Sequence, residues 1–181
     1  MQSITINDKT FVLSITSDKI LEKVKVMAQK INSELSNEMP LFLAVLNGSF
    51  MFAADLLKEI TIPCEISFIK LASYTGTSSS GMVTEIIGLT EDIKGRTVVI
   101  IEDIVDTGAT IEKLVDLLSK KNVKQIKIAS LLFKPESYTK KIKLDYIAME
   151  IPNEFIIGYG LDYNGLGRNT KDLFILKKQL N

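Results

Sequence analysis

Histidine and tryptophan are absent from this chain of 181 residues, and Cys64 is its single cysteine. Without histidine, the chain cannot form a Ser-His-Asp triad, a Cys-His dyad or a His-rich zinc site. Acid–base catalysis would therefore depend on carboxylates, lysine or tyrosine. One cysteine excludes an internal disulfide. Because Cys64 lies in an apolar, strand-like stretch, we expect a buried and unreactive thiol.

An excess of charge is also missing, because 22 basic residues balance 22 acidic ones. A chain without net charge has no global field to attract nucleic acid or a membrane surface, so any phosphate must be bound by local geometry. No apolar run approaches the roughly 20 residues that span a bilayer, and the N-terminus lacks the pattern of a signal peptide. We therefore expect a cytoplasmic protein without nucleic-acid or membrane partners, folded as one domain over 1–181.

Apolar runs alternate with stretches of helical spacing along most of the chain. The strand-like runs are 41–46, 62–72, 83–88, 98–103 and 125–133. The helical stretches are 20–35, 49–60 and 109–121. This alternation predicts an α/β fold with a central, mostly parallel sheet flanked by helices. Thr16 or Ser17 can cap the first helix. The inward face of the second helix is predicted to carry Phe50, Ala53, Ala54 and Leu57.

The most informative segment joins an apolar strand to two acids and to a turn that opens a helix. Residues 98–101 lead into Glu102 and Asp103, and Asp106-Thr107-Gly108-Ala109-Thr110 follows. Ligands collect at the carboxyl ends of strands in open α/β sheets, and the first N–H groups of a helix favour an anion. Neighbours in a regular strand point to opposite faces, so both acids can reach one ligand only if the strand ends there. The segment indicates a phosphorylated sugar ligand.

This segment resembles the phosphoribosyl-diphosphate motif of the type I phosphoribosyltransferases, and in particular that of the hypoxanthine (hypoxanthine-guanine) phosphoribosyltransferases. The similarity extends from the turn at 46–50 to Arg168. It implies the type I phosphoribosyltransferase fold, in which a small hood covers the carboxyl edge of the sheet. The hood would come mainly from 136–181 and the N-terminus. The implied reaction transfers 5-phosphoribosyl from 5-phosphoribosyl 1-diphosphate to hypoxanthine or guanine, yields IMP or GMP and diphosphate, and uses Mg²⁺.

The resemblance implies a role for each residue of the motif. Glu102 and Asp103 would lie near the ribose hydroxyls and the metal-bound diphosphate, as metal-binding and substrate-binding acids. Asp106 would accept the proton of purine N7, although an aspartate at this position is also typical of a helix N-cap. The residues that would hold the 5′-phosphate are Thr107, Gly108, Ala109 and Thr110.

Two further loops would complete the phosphate site. Asn47 and Gly48 match the diphosphate loop of the family, where a cis peptide bond is characteristic. The alternative for this stretch is an ordinary strand-to-helix turn. Ser73 and Tyr74 match a flexible loop that would close over the site and exclude water. The Gly-, Ser- and Thr-rich composition of 73–82 is equally typical of a disordered surface loop.

Residues from the C-terminal third would bind the base and a second metal ion. Lys134 matches the lysine that donates to purine O6. An ammonium donates hydrogen bonds but does not accept them, so it favours a 6-oxopurine. The alternative is a solvated surface charge, which is typical of a lysine that follows a strand. Phe155 matches the ring that stacks on the purine, although most phenylalanines pack in cores. Ile156 matches the residue whose backbone meets the base. Asp162 matches a ligand of a second Mg²⁺, and Arg168 a diphosphate contact.

Two other functions are compatible with parts of this pattern. A regulator of the same fold would sense 5-phosphoribosyl 1-diphosphate and bind nucleic acid, but the sequence shows neither a helix-turn-helix extension nor a basic excess. A sister enzyme for orotate, uracil or adenine is disfavoured by Lys134 and by the segment 155–162. The apolar content of 46% permits either a homodimer or a homotetramer, and we expect one of them.

Overall fold

The computed structural model describes residues 2–73 and 83–177. Within them the chain forms ten strands and three helices. In chain order these are β1 (Ser3–Ile6), β2 (Lys9–Ile15), α1 (Ser17–Glu34), β3 (Leu41–Val45), α2 (Phe50–Glu59), β4 (Glu65–Ser73), β5 (Val83–Ile87), β6 (Thr97–Val105), α3 (Ala109–Ser119), β7 (Gln125–Phe133), β8 (Tyr146–Glu150), β9 (Ile156–Ile157) and β10 (Leu173–Leu176). None of these helices is long and apolar enough to cross a membrane.

Six strands form the larger sheet, in the order β5-β4-β3-β6-β7-β8. In this sheet β4, β3, β6, β7 and β8 pair in parallel. The edge strand β5 pairs antiparallel with β4. The central strands are continuous apolar runs because helices cover both faces. Alternate residues of β3 show this directly, since Phe42 packs in the cluster with α1 and α2, whereas Leu43 packs in the cluster with α3. The predicted α/β architecture is therefore confirmed.

A smaller antiparallel sheet joins the two ends of the chain, in the order β1-β2-β10-β9. Its core contains Phe11, Ile157 and Phe174. The C-terminal part of this small sheet begins at Ile156, because β8, the preceding strand, belongs to the larger sheet. This small sheet carries the segment from Phe155 onward.

The inward face of α2 differs from the predicted one. Its buried residues are Phe52, Ala53 and Leu56. Phe50 is 43% exposed, and Ala54 is also exposed. The helix begins at Phe50, after a turn whose last residue is buried, so the side that meets the sheet is rotated relative to the expected face.

The environment of Cys64 also differs from the expectation, because this residue is exposed. β4 begins only at Glu65, so Cys64 lies in the connection before the strand rather than within the buried run. Partial burial still raises the pKa of the thiol above its ordinary value. A raised pKa lowers the thiolate fraction, which favours an unreactive thiol.

The N-terminus of α1 is capped from a distance rather than locally. Thr16 occupies the N-cap position without a side-chain hydrogen bond to the helix. Instead the Ser17 N–H donates to Asp172 Oδ1 at 2.7 Å. A carboxylate at a helix N-terminus is a strong acceptor, so Asp172 connects the end of the small sheet to α1.

Candidate active site

β6 continues through the two acids instead of ending at them. Glu102 and Asp103 lie inside the strand Thr97–Val105 and are only 8% and 7% exposed. Pairing with β7 persists beyond them, as in the register Ile104↔Leu132. The expectation that the strand ends at the acids is therefore wrong, because the parallel ladder extends two residues further. The acids are nevertheless near the carboxyl end of a central strand.

Burial controls the electrostatics of both acids. It raises the pKa of Glu102 well above the ordinary value, and the neighbouring Asp103 charge adds to the effect. Glu102 Oε2 is buried without a hydrogen-bond partner among the described residues. Burial also raises the pKa of Asp103 to about 6, although the Ile104 N–H donates to Asp103 Oδ1 at 2.9 Å and the Arg168 charge acts in the opposite direction. Buried carboxylates that lack hydrogen-bond partners favour the binding of a cation or of a donor group.

The turn after β3 packs its backbone directly against Asp103. The peptide bond between Leu46 and Asn47 is cis, as the resemblance implies. Asn47 is exposed and Gly48 is half-buried. A Cβ atom added at Gly48 would overlap the Asp103 carboxylate. Only glycine therefore allows this close approach between the loop and the buried acid.

The turn between β6 and α3 forms an open pocket lined by Glu102 and 104–111. Gly108 has a φ of +84° and is the N-cap residue of α3. The N–H groups of the first helical turn have no partners within a helix, so the lining includes donors suited to an anion. Asp106 is not the N-cap, and the capping interpretation of this residue is therefore wrong.

Asp106 instead forms an ion pair with Lys134. Lys134 Nζ lies 2.9 Å from Asp106 Oδ2. The lysine is 7% exposed and follows β7 directly, where its N–H donates to the Val105 carbonyl at 3.0 Å. It is therefore not a solvated surface charge. The Asp106 side chain is 44% exposed, which leaves it accessible to a ligand.

The segment after β9 brings Asp162 and Arg168 together. Arg168 Nη2 lies 2.6 Å from Asp162 Oδ1, and Nη1 donates to the Gly160 carbonyl at 2.6 Å. The chain reverses between them at Asn164 and Gly165, whose φ angles are +53° and +83°. Two left-handed residues in an Asn-Gly pair are typical of a type I′ turn. Through its charge, Arg168 also acts on Asp103.

Phe155 lies in an aromatic cluster of the small sheet and is 45% exposed. Its ring centroid is 6.1 Å from that of Phe11 and 5.8 Å from that of Tyr163, the latter edge-on. Lys9 Nζ lies 5.7 Å from the Phe155 centroid and 4.6 Å from that of Tyr163. Ile156 is buried and pairs with β10. The exposure of Phe155 disfavours the interpretation that it is a core residue and leaves ring surface available for stacking.

The resemblance assigns Ser73 and Tyr74 to a flexible loop over the site. In the structure, Ser73 is instead the last residue of β4, and its backbone pairs with Val83 of β5. Tyr74 and the rest of the predicted lid lie outside the described residues. Over 2–73 and 83–177, no three His, Cys, Asp or Glu side chains come together as a metal-binding group, so Asp162 does not join the acids of β6 in one cluster.

Several residues at the site escaped the sequence analysis. Lys9 and Phe11 support Phe155 from the N-terminal hairpin, and nothing in the sequence signals this contact. The N–H and the hydroxyl of Thr139 both donate to the Thr107 carbonyl, at 3.4 and 3.3 Å. The turn 158–160 packs against the loop at Gly48. Its Gly-Tyr-Gly pattern was a usable signal, since alternating glycines often mark close backbone approach.

Comparison with known proteins identifies the family of this chain. A family model described as a phosphoribosyl transferase domain matches residues 14–164. The chain belongs to the phosphoribosyltransferase family, and its fold is the type I fold of that family.

Its relatives include hypoxanthine-guanine phosphoribosyltransferases. The protein of that name from Streptococcus pneumoniae is 39% identical over 167 residues, which are 92% of this chain and 93% of that protein. The Streptococcus pyogenes protein of the same name is 40% identical over 166 residues, which are 91% of this chain and 92% of that protein. A hypoxanthine phosphoribosyltransferase structure from Staphylococcus aureus has a TM-score of 0.85 and 35% identity, and the match covers 91% of this chain and 90% of that one.

Proposed function

We propose that this phosphoribosyltransferase is a purine salvage enzyme that acts on 6-oxopurines. It transfers 5-phosphoribosyl from 5-phosphoribosyl 1-diphosphate to N9 of hypoxanthine or guanine, with release of diphosphate. The observation that carries the proposal is the Lys134–Asp106 ion pair beside the pocket of the motif turn. It supplies a donor and an acceptor where a phosphorylated sugar and a base would meet. The hypoxanthine-guanine phosphoribosyltransferases among the relatives support the same substrate class.

At the base end, polar groups and an aromatic ring recognise the purine. Lys134 donates to O6, since an ammonium has only donors. Asp106 accepts the proton at N7 or stabilises the positive charge that develops there. Phe155 stacks on the base, and the Ile156 backbone meets its edge. Adenine carries an amino group where a 6-oxopurine carries O6. The Lys134 ammonium cannot accept a hydrogen bond from that group, so it disfavours adenine.

At the sugar end, backbone groups do most of the binding. The 5′-phosphate is held by the turn made of Thr107, Gly108, Ala109 and Thr110. Glu102 and Asp103 face the ribose hydroxyls. The diphosphate lies against the loop at Asn47 and Gly48 and is contacted by Arg168. The role proposed for Ser73 and Tyr74 is to exclude water from the site. The protein thus contributes positioning and electrostatic stabilisation rather than a covalent intermediate.

The acids of the site fit Mg²⁺. The supporting observation is the buried carboxylate pair in β6, with one Glu102 oxygen that has no partner among the described residues. Mg²⁺ binds through one or two carboxylates together with substrate phosphates and water. Glu102 and Asp103 would hold one ion, and Asp162 would hold a second. When bound, Mg²⁺ supplies neutralisation of the charge on the leaving diphosphate.

One assay tests the reaction class. Initial rates of nucleotide formation and diphosphate release are measured with 5-phosphoribosyl 1-diphosphate, Mg²⁺ and one base at a time: hypoxanthine, guanine, adenine, orotate or uracil. Release of diphosphate is expected to require hypoxanthine or guanine. Binding of the sugar diphosphate without purine-dependent release would instead identify a regulator that senses it. We also propose a homodimer or homotetramer, which light scattering would distinguish from a monomer.

A further inference from the structure

Tyr159 has an uncommon backbone conformation in a buried position. It is 2% exposed, and its φ is +46°, between Gly158 and Gly160 with φ angles of +99° and +100°. Residues other than glycine rarely adopt the left-handed region, and a bulky side chain there needs support from its surroundings. The interactions of this side chain are therefore informative.

The support comes from α2. The Tyr159 hydroxyl donates to Asp55 Oδ2 at 2.6 Å. The other oxygen of Asp55 pairs with Lys58 at 2.8 Å, and the Asp55 side chain is only 21% exposed. Burial and the neighbouring carboxylate raise the pKa of Tyr159 well above its ordinary value. The hydroxyl thus remains a neutral donor in a charge-assisted hydrogen bond.

This hydrogen bond lies between two parts of the proposed site. On one side, a Cβ atom added at Gly160 would overlap the Gly48 carbonyl, so the turn rests on the diphosphate loop. On the other side, the Gly160 N–H donates to the Arg168 carbonyl at 2.9 Å, and Arg168 Nη1 donates back to the Gly160 carbonyl at 2.6 Å. The Tyr159 N–H donates to the Thr170 carbonyl at 2.8 Å. These hydrogen bonds fix the turn to the segment of the chain that carries Arg168.

We propose that Tyr159 and Asp55 form a positioning pair that sets the separation between the diphosphate loop and Arg168. Asp55 is fixed relative to the loop, because α2 begins at Phe50, directly after it. Tyr159 is fixed relative to Arg168 through Gly160. In this role both side chains act through the loop and Arg168 and not by contact with the substrate. This inference rests on the site assignment proposed above, in which the loop and Arg168 bind the same diphosphate.

The chain contains a matched control for this pair. Tyr146 is 1% exposed, and its hydroxyl donates to Glu34 Oε2 at 2.9 Å. Burial likewise raises its pKa above the ordinary value. This second tyrosine–carboxylate pair connects β8 to α1, and not α2 to the Gly160 turn. Tyr146→Phe therefore reproduces the loss of a buried hydroxyl without the proposed positioning effect.

The experiment compares Tyr159→Phe with Tyr146→Phe in the full chain. Calorimetry measures the Kd of 5-phosphoribosyl 1-diphosphate with Mg²⁺ and the Kd of IMP, which lacks a diphosphate. Tyr159→Phe is expected to weaken sugar-diphosphate binding roughly tenfold, which corresponds to the loss of one charge-assisted hydrogen bond, while IMP binding changes less than about twofold. Tyr146→Phe is expected to leave both Kd values within about twofold.

Variants of Asp55 provide an independent arm that does not depend on Tyr159→Phe folding. Asp55→Asn keeps an acceptor oxygen and should retain most of the affinity, whereas Asp55→Ala should reproduce the selective loss. The effects of Tyr159→Phe and Asp55→Ala should be non-additive in the double variant. Equal weakening of both ligands, or wild-type affinity for both, would overturn the positioning role. A wild-type chain that binds no sugar diphosphate would overturn the proposed function and this inference with it.

Discussion

The ammonium of Lys134 lies 2.9 Å from the Asp106 carboxylate, so the proposed O6 donor and the proposed N7 acceptor are ion-paired. O6 and N7 share one edge of a 6-oxopurine. An ammonium has three donors, so Lys134 can bind O6 while it retains Asp106. In the proposed site, the pair would hold both groups toward the same edge of the base before the base binds.

Lys134→Ala is expected to impair use of 6-oxopurines much more than binding of the sugar diphosphate. Loss of a charged donor to O6 should lower kcat/KM for hypoxanthine roughly 10–100-fold. Steady-state kinetics with both substrates varied would measure this. Lys127→Ala is the matched control, since Lys127 belongs to β7, the strand that Lys134 directly follows, and pairs with Asp145 at 3.1 Å. An unchanged base preference in Lys134→Ala would contradict the assignment.

Turnover is expected to require Mg²⁺ or a similar divalent ion, because the proposed diphosphate site contains Glu102, Asp103 and Asp162. Activity is measured in excess chelator and again after Mg²⁺ is restored. Turnover should disappear in the first condition and return in the second. Undiminished turnover in chelator would exclude a metal role for these acids.

Gly48→Ala is expected to weaken sugar-diphosphate binding. The added methyl group would displace either the loop or the Asp103 carboxylate, and overpacking of this kind should reduce affinity roughly tenfold or more. Gly95→Ala is the control, because its added Cβ atom meets no neighbour within 4 Å although its φ of +69° also disfavours alanine. Both variants should lose stability, but only Gly48→Ala should lose affinity. Equal affinities in the two variants would disprove the loop assignment.

The accuracy of sequence-based prediction here depends on how local each feature is. β6, the motif turn and α3 are determined by neighbouring residues, so apolar runs and helical spacing located them well. Asp55 and Tyr159 are separated by 104 residues, and the partners Ser17 and Asp172 by 155. Such pairs depend on how the larger sheet, its helices and the small sheet pack together, which the periodicity of the sequence does not encode. The burial of Glu102 and Asp103 was missed for the same reason, because it depends on pairing with β7.

Asp103→Asn is expected to stabilise the fold in a pH-dependent manner. Burial raises the pKa of Asp103 from 3.8 to about 6 in the folded state, so ionisation destabilises the protein as pH rises through this interval and the effect is constant above it. The neutral amide removes this cost. The free energy of unfolding should rise by on the order of 1–3 kcal/mol near pH 7.5 and change little near pH 4.

Urea unfolding of Asp103→Asn at both pH values measures this difference. Sugar-diphosphate binding should weaken in the same variant, because the carboxylate proposed to hold Mg²⁺ is lost. A gain in stability near pH 4 that equals the gain near pH 7.5 would contradict the electrostatic explanation. It would attribute the effect to packing of the amide instead.

Asp106→Asn is expected to slow the chemical step with little change in stability. The asparagine oxygen can still accept from Lys134, and the side chain is 44% exposed, so the free energy of unfolding should change by no more than about 1 kcal/mol. Loss of the carboxylate removes the group that accepts the N7 proton or stabilises its charge, which should lower turnover roughly 10²–10⁴-fold. Single-turnover kinetics isolate this step from product release. Near wild-type rates would mean that Asp106 only orients Lys134, since the amide preserves that contact while the charge is gone.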